Sequence, residues 1–180
     1  MNVHPYHERV LSLVNDTKKR EKAIEIFLKH YSQFSISKGS GHRHHSYDGG
    51  LADHTMLVAL LAWDFQRKLP DFLYFTCNSD DVIMAAIFHD FDKIGKYQQP
   101  DERPFLTPLD VYSMLVDHGL SSKGLRDGII HAHGGWSDYK DEPFGMVSIL
   151  VHAADMVASH IIEGKDDTRK AIDVFMEKMS

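Results

Sequence analysis

The chain has 180 residues, a net charge of −6 and a single cysteine. This length is typical of one hydrophobic core, so we predict a single domain over residues 1–180. The negative charge excludes a protein whose affinity comes mainly from neutralising the phosphates of long duplex nucleic acid. One cysteine excludes an intramolecular disulfide and a four-thiolate zinc site.

No stretch approaches the ~20 consecutive apolar residues that a membrane span needs, and no apolar leader precedes a cleavage site. We therefore predict no association with a membrane. The lone Cys77 is typical of a reducing compartment, so the predicted location is cytoplasmic.

Apolar residues recur three and four apart along most of the chain, which predicts an all-α bundle of about seven helices. Capping residues and glycines define the predicted ends. After an opening helical segment around Val10, the predicted helices run over residues 17–34, 51–68, 79–90, 107–119, 122–133, 146–163 and 167–179. The stretch "SISKGSGHRHHSYDGG", residues 35–50, is predicted to be a loop that delivers histidines to the helix after it.

The helix around "AAIFHDFDKIG" ends its apolar run in His89 and Asp90. Charge at a buried helix end needs compensation, and a divalent metal would bind both side chains. Imidazole with carboxylate, in the absence of thiolates, suits Mn, Fe, Co, Ni or Zn. The alternative is an ordinary histidine with a carboxylate at a helix C-terminus.

Other histidines and aspartates lie where they would join the same site. His54 is in the first turn of an apolar helix, and His152 and Asp155 are three residues apart on one helix face. His131 and His133 precede a Gly-Gly pair, where a bend would aim either or both inward. Singly, each has an ordinary structural explanation, but together they favour a shared metal over independent burial.

The order of these residues resembles the HD-domain superfamily of metal-dependent phosphohydrolases. "HHSYDGGLADHT" looks like the "HH-x-x-x-GGL-x-x-HT" run of its exoribonuclease-like branch, "IIHAHGG" looks like that branch's "SHHG", and "LVHAADMVAS" resembles its closing helix. The nucleic-acid-binding OB domain of the exoribonucleases has no counterpart in this sequence. The resemblance implies a compact helical HD domain that holds one or two divalent ions.

The resemblance also implies roles for individual residues. His54, His89, Asp90 and Asp155 would be the primary ligands. His133 matches the branch's histidine before glycine and His131 replaces a serine, so both stay candidate ligands. His152 would either bind the metal or support Asp155 as a neighbour.

Two residues after the His-Asp pair are candidates for catalysis. Lys93 keeps the family's lysine and would neutralise phosphoryl charge, unless it is only a solvated lysine at a helix end. Asp92 stands where the family form has glycine, and it would orient water or anchor Lys93.

The preceding loop brings Arg43, His44 and His45 to the predicted mouth of the site, where they would bind phosphate. The alternative for these three is a solvated loop. Trp136 would stack on a base or cover the core, and the second role is the one we predict.

These observations predict a metal-dependent phosphohydrolase that acts on a phosphate ester or anhydride of a nucleotide or short oligonucleotide. The alternative hypothesis is an HD module that senses a nucleotide or a metal without turnover.

Overall fold

A computed structural model describes residues 5–74, 76–97, 106–162 and 164–179. The prediction of an all-α fold is confirmed, because these ranges contain nine α-helices and no strand. In chain order the helices are α1 (Pro5–Leu11), α2 (Thr17–Phe34), α3 (Gly50–Arg67), α4 (Asp71–Tyr74), α5 (Ser79–Phe88), α6 (Pro108–Asp117), α7 (Lys123–Ile130), α8 (Met146–His160) and α9 (Lys165–Lys178). Two single-turn 3₁₀ helices, Phe91–Lys93 and Gly134–Trp136, follow α5 and α7.

Side-chain caps begin several of these helices where the sequence predicts them. Asp16 accepts hydrogen bonds from the first-turn amides of α2, and Ser122 does the same for α7. Thr107 and Asp110 form a reciprocal capping box at the start of α6. Each cap satisfies amides that have no partner within the helix, which explains why the predicted and observed starts agree.

Several boundaries differ from the prediction. Helices α5 and α7 end at Phe88 and Ile130, before the predicted ends at residues 90 and 133. The predicted connection after α3 contains the four-residue helix α4, in which the Pro70 carbonyl accepts from the amides of Leu73 and Tyr74. A single turn is too short to produce a periodic apolar pattern. Helix α8 ends at His160, and Glu163, the predicted end, lies outside the described residues.

Helix α3 lies at the centre of the fold and packs against α5, α8 and α9. From Leu51 to Ala62 only one of its side chains, Asp53, is not buried. A helix that is apolar almost all round belongs in the interior of a bundle. The side chain of His54 at the start of this helix is therefore surrounded by protein, which positions the site described below. No helix in the described ranges combines the length and apolarity needed to cross a membrane.

Gly128 allows α7 to approach α5 and α8 closely. A Cβ at this position would lie 2.5 Å from Cβ of Ala85 and 2.8 Å from Cγ1 of Val147. We expect Gly128→Ala to lower the free energy of unfolding by about 1–3 kcal/mol, because overpacking outweighs the better helix propensity of alanine. Urea denaturation measures this change.

The matched control is Gly135→Ala, since a Cβ on Gly135 meets no atom within 4 Å. Its unfolding midpoint should stay close to that of the parent. Equal midpoints for both variants would show that α7 adjusts its position without cost.

Candidate metal centre

Three segments of the bundle bring two imidazoles and two carboxylates together. His54 lies on α3, His89 and Asp90 directly follow α5, and Asp155 lies on α8. The Nε2 atom of His54 is 3.1 Å from Oδ1 of Asp155 and 3.5 Å from Oδ2 of Asp90. His89 Nε2 is 3.5 Å from Oδ1 of Asp90. A ligand atom from each of His54, His89 and Asp155 lies within 4.8 Å of the others, so one ion can reach all three.

The end of α5 explains how adjacent residues serve one site. The ring Nδ1 of His89 lies 2.8 Å from the Ala86 carbonyl oxygen. A carbonyl only accepts, so Nδ1 carries the proton and Nε2 presents its lone pair to the site. Asp90 leaves the helical conformation and begins the following 3₁₀ turn, which turns its carboxylate toward the same point. This hydrogen-bond pattern is typical of a metal-ligating histidine.

Several buried polar atoms at this point lack a hydrogen-bond partner. They are both ring nitrogens of His54, Nε2 of His89 and Oδ1 of Asp90. Buried polar groups are nearly always satisfied in folded proteins, so an unsatisfied group needs an explanation. Imidazole nitrogens and carboxylate oxygens are the ligand atoms that bind divalent transition metals. The residues present therefore fit a divalent ion.

The electrostatics of the two carboxylates also fit a cation. Burial would raise the pKa of Asp90, but the neighbouring His89 ring and the ammonium of Lys93 hold it well below the usual value. Burial opposes ionisation of Asp155 too, but a hydrogen bond with His133 and the nearby ring of His54 keep its pKa well below the usual value. Both groups are therefore anionic in the interior, where an unpaired charge is costly.

His133 bridges these two carboxylates. Its Nε2 lies 3.3 Å from Oδ1 of Asp90 and its Nδ1 lies 3.4 Å from Oδ2 of Asp155. Burial alone would lower the pKa of His133, but its hydrogen bond with Asp155 and the nearby carboxylate of Asp90 raise it to about 9. The structure thus brings His133 into the cluster.

A pocket of about 300 Å³ opens above Asp155. Positive and aromatic side chains line it, including Arg43, His44, Lys93 and Trp136. Trp136 is 77% exposed, so the prediction that it covers the core is wrong. Charge and shape together suit a small anionic ligand.

A family model for the HD domain matches residues 51–160. The chain belongs to the HD domain family. It is also 28% identical to the dihydroneopterin 2′,3′-cyclic phosphate phosphodiesterase of Methanocaldococcus jannaschii, over 86% of this chain and 69% of that protein. No solved structure matches the chain. The resemblance found in the sequence is confirmed, and these matches support an HD-family hydrolase.

In this HD domain Lys93 pairs with the His-Asp dipeptide itself. Its Nζ donates to Oδ2 of Asp90 at 2.8 Å. Burial would lower the pKa of Lys93, but the negative charge of Asp90 raises it above the ordinary lysine value. Asp90, and not Asp92, therefore anchors the ammonium. Burial and the charge of Asp90 raise the pKa of Asp92 to about 6.

One candidate histidine, His131, lies apart from the cluster, and another, His45, does not lie at the mouth of the pocket where the sequence predicts it. His131 is buried against Phe144, with ring centroids 4.9 Å apart, and its ring nitrogens have no hydrogen-bond partner in the described part of the chain. None of the groups that shift its pKa belongs to the HD site. The structure therefore does not bring His131 to the metal centre. His45 is fully buried beneath the pocket and bonds Thr168, with 3.0 Å between Nε2 and Oγ1.

The support of Asp155 comes from a residue that the sequence analysis missed. Ser159, one turn later on α8, donates from Oγ to Oδ1 of Asp155 at 3.0 Å. The signal was the four-residue spacing, which places both side chains on one helix face. His152 instead lies with Nδ1 2.8 Å from the carbonyl oxygen of Ala132, and its ring lines the pocket.

Proposed function

We propose that this HD domain is a metal-dependent phosphodiesterase that hydrolyses a small nucleotide-like phosphodiester. One observation carries the proposal. Buried nitrogen and oxygen atoms of His54, His89 and Asp90 that have no hydrogen-bond partner converge with Asp155 below a pocket that cationic side chains line. The relative from Methanocaldococcus jannaschii bears the name of a cyclic phosphate phosphodiesterase, which favours a diester over a monoester.

The residues of the metal centre would hold Mn, Fe, Co, Ni or Zn. Such an ion supplies Lewis-acid chemistry, because it neutralises phosphate charge and lowers the pKa of water toward ~7. His54, His89, Asp90 and Asp155 supply the donor atoms, and His133 reaches the same two carboxylates.

Lys93 and Arg43 line the pocket on the solvent side of these donors. The ammonium of Lys93 is fixed by Asp90, so its position is set before a substrate arrives. A positioned cation stabilises negative charge that develops on phosphoryl oxygens. Arg43 and His44 would bind the phosphate as it enters, and the half-buried carboxylate of Asp92 would orient water.

A second cavity of about 330 Å³ adjoins the pocket across His152. It is mainly apolar, and Phe144, Ile149 and Ala153 form part of its wall. Ile149 precedes Asp155 by six residues on α8, which corresponds to about 9 Å along the helix axis. A heterocyclic ring in this cavity would leave a phosphodiester over the metal centre.

The test is a turnover screen with each of the five metals. The substrates are 2′,3′-cyclic nucleotides, short linear diesters and nucleoside mono-, di- and triphosphates. We expect the diesters to turn over fastest, and we expect chelation with EDTA to abolish the activity until metal is returned. Nucleotide binding without hydrolysis, by protein with full metal occupancy, would contradict the proposal and favour a sensing module.

A further inference from the structure

Three histidines form a second cluster beside the metal centre. The loop between α2 and α3 carries His44 and His45 back over the first turn of α3, where His54 lies. One ring nitrogen from each lies within 4.8 Å of the other two. This cluster shares only His54 with the His54, His89 and Asp155 group.

The hydrogen bond between His45 and Thr168 fixes the tautomer of the imidazole. The hydroxyl of Thr168 donates its only proton to the Gly164 carbonyl oxygen, 2.7 Å from Oγ1. Oγ1 of Thr168 must therefore accept from Nε2–H of His45, 3.0 Å away. In the neutral ring, Nδ1 of His45 then keeps a free lone pair, and it lies 3.3 Å from Nδ1 of His44.

That separation matches two ligands of one ion. Metal–nitrogen bonds of about 2.1 Å in a tetrahedral site place neighbouring nitrogens about 3.4 Å apart. A direct hydrogen bond between the rings also fits 3.3 Å, but it leaves both buried nitrogens of His54 without a partner. A metal-ligating histidine almost always uses its second nitrogen as well, so one metal does not explain His54.

The backbone holds His45 in a strained conformation that presents its ring to this cluster. His45 has a φ of 53°, which is unusual for a residue other than glycine. Its carbonyl accepts from the Gly39 amide at 2.9 Å, and a Cβ on Gly50 would lie 2.0 Å from that carbonyl oxygen. Such strain persists where the surroundings hold it, and it concentrates at functional sites.

We propose that His44 and His45 hold a second divalent cation next to the first, with His54 between the two ions. The inference rests on the metal centre proposed above. A neutral imidazole has one lone pair, so His54 binds both ions only after its ring proton leaves to solvent. If His54 keeps that proton, water takes its place as a ligand of the second ion, beside His44 and His45. Neutral nitrogen donors favour zinc, cobalt or nickel over magnesium or calcium.

The experiment measures zinc and cobalt per chain by elemental analysis after equilibration and removal of free metal. We expect two ions in the parent protein and one in His44→Asn and in His45→Asn. Asparagine is the replacement because it tolerates a positive φ and stays polar. The matched control is His42→Asn, an exposed histidine of the same loop, which should retain two ions.

Turnover of the best diester is measured on the same preparations, and circular dichroism verifies that each variant is folded. One ion in the parent, or two ions in both folded variants, overturns the second site and leaves the phosphodiesterase proposal standing. Loss of one ion in the variants, without any diester hydrolysis by the parent, supports the second site and contradicts the proposed function.

Discussion

Replacing Asp90 with alanine should abolish turnover and strip the metal centre. Asp90 is fully buried and its carboxylate lies between the nitrogens of His54 and His89, so alanine removes a donor and not a surface charge. A metal ion contributes several kcal/mol of transition-state stabilisation, and the rate should therefore fall roughly 10³-fold or more. The measurements are kcat on the best diester and metal per chain on one preparation.

The matched control is Asp127→Ala, because Asp127 is also buried but pairs with Lys123 and Arg126 away from the site. This variant should lose some stability and keep its metal, since it removes ion pairs that lie away from the site and leaves Arg126 paired with Glu142. Near-normal turnover and full metal occupancy in Asp90→Ala would contradict the assigned centre.

Lys93→Ala should separate catalysis from metal binding. If the ammonium stabilises phosphoryl charge, kcat should fall by about 10² to 10³, the usual cost of losing one transition-state contact. Metal content at saturating metal should stay unchanged, because Lys93 donates to Asp90 and does not itself ligate. Steady-state kinetics and elemental analysis together measure this difference.

Lys68→Ala is the control, since Lys68 also pairs with a nearby aspartate, Asp64, but is exposed to solvent at the C-terminal end of α3. Its kcat should equal that of the parent. A Lys93→Ala variant with unchanged kcat and unchanged metal would remove Lys93 from the mechanism. A selective loss of metal would instead show that Lys93 mainly supports Asp90.

Local patterns in the sequence predicted the parts of the site that lie on regular helices. His54, His89, Asp90 and Asp155 each belong to, or directly follow, a strongly apolar helix, so burial with a shared partner was a physical expectation. Periodicity places such residues because it fixes which face of a helix is buried.

The choice between His131 and His133 depends on a turn that has no such period. His131 ends α7 and His133 begins the next 3₁₀ turn, and only the second histidine faces Asp90. Backbone angles at the end of the helix decide this, and residue spacing does not encode them. The bond between His45 and Thr168 joins residues 123 positions apart, so no local signal predicts it.

The hydrogen bond of His45 to Thr168 joins two segments that lie on either side of the region matched by the HD family model. His45 precedes the matched HD region, which covers residues 51–160, and Thr168 follows it on α9. Two segments outside the shared core therefore meet beneath the pocket and hold each other. If the loop of His44 and His45 binds ligand as proposed, substitutions in α9 should alter ligand selection while His54, His89, Asp90 and Asp155 stay unchanged.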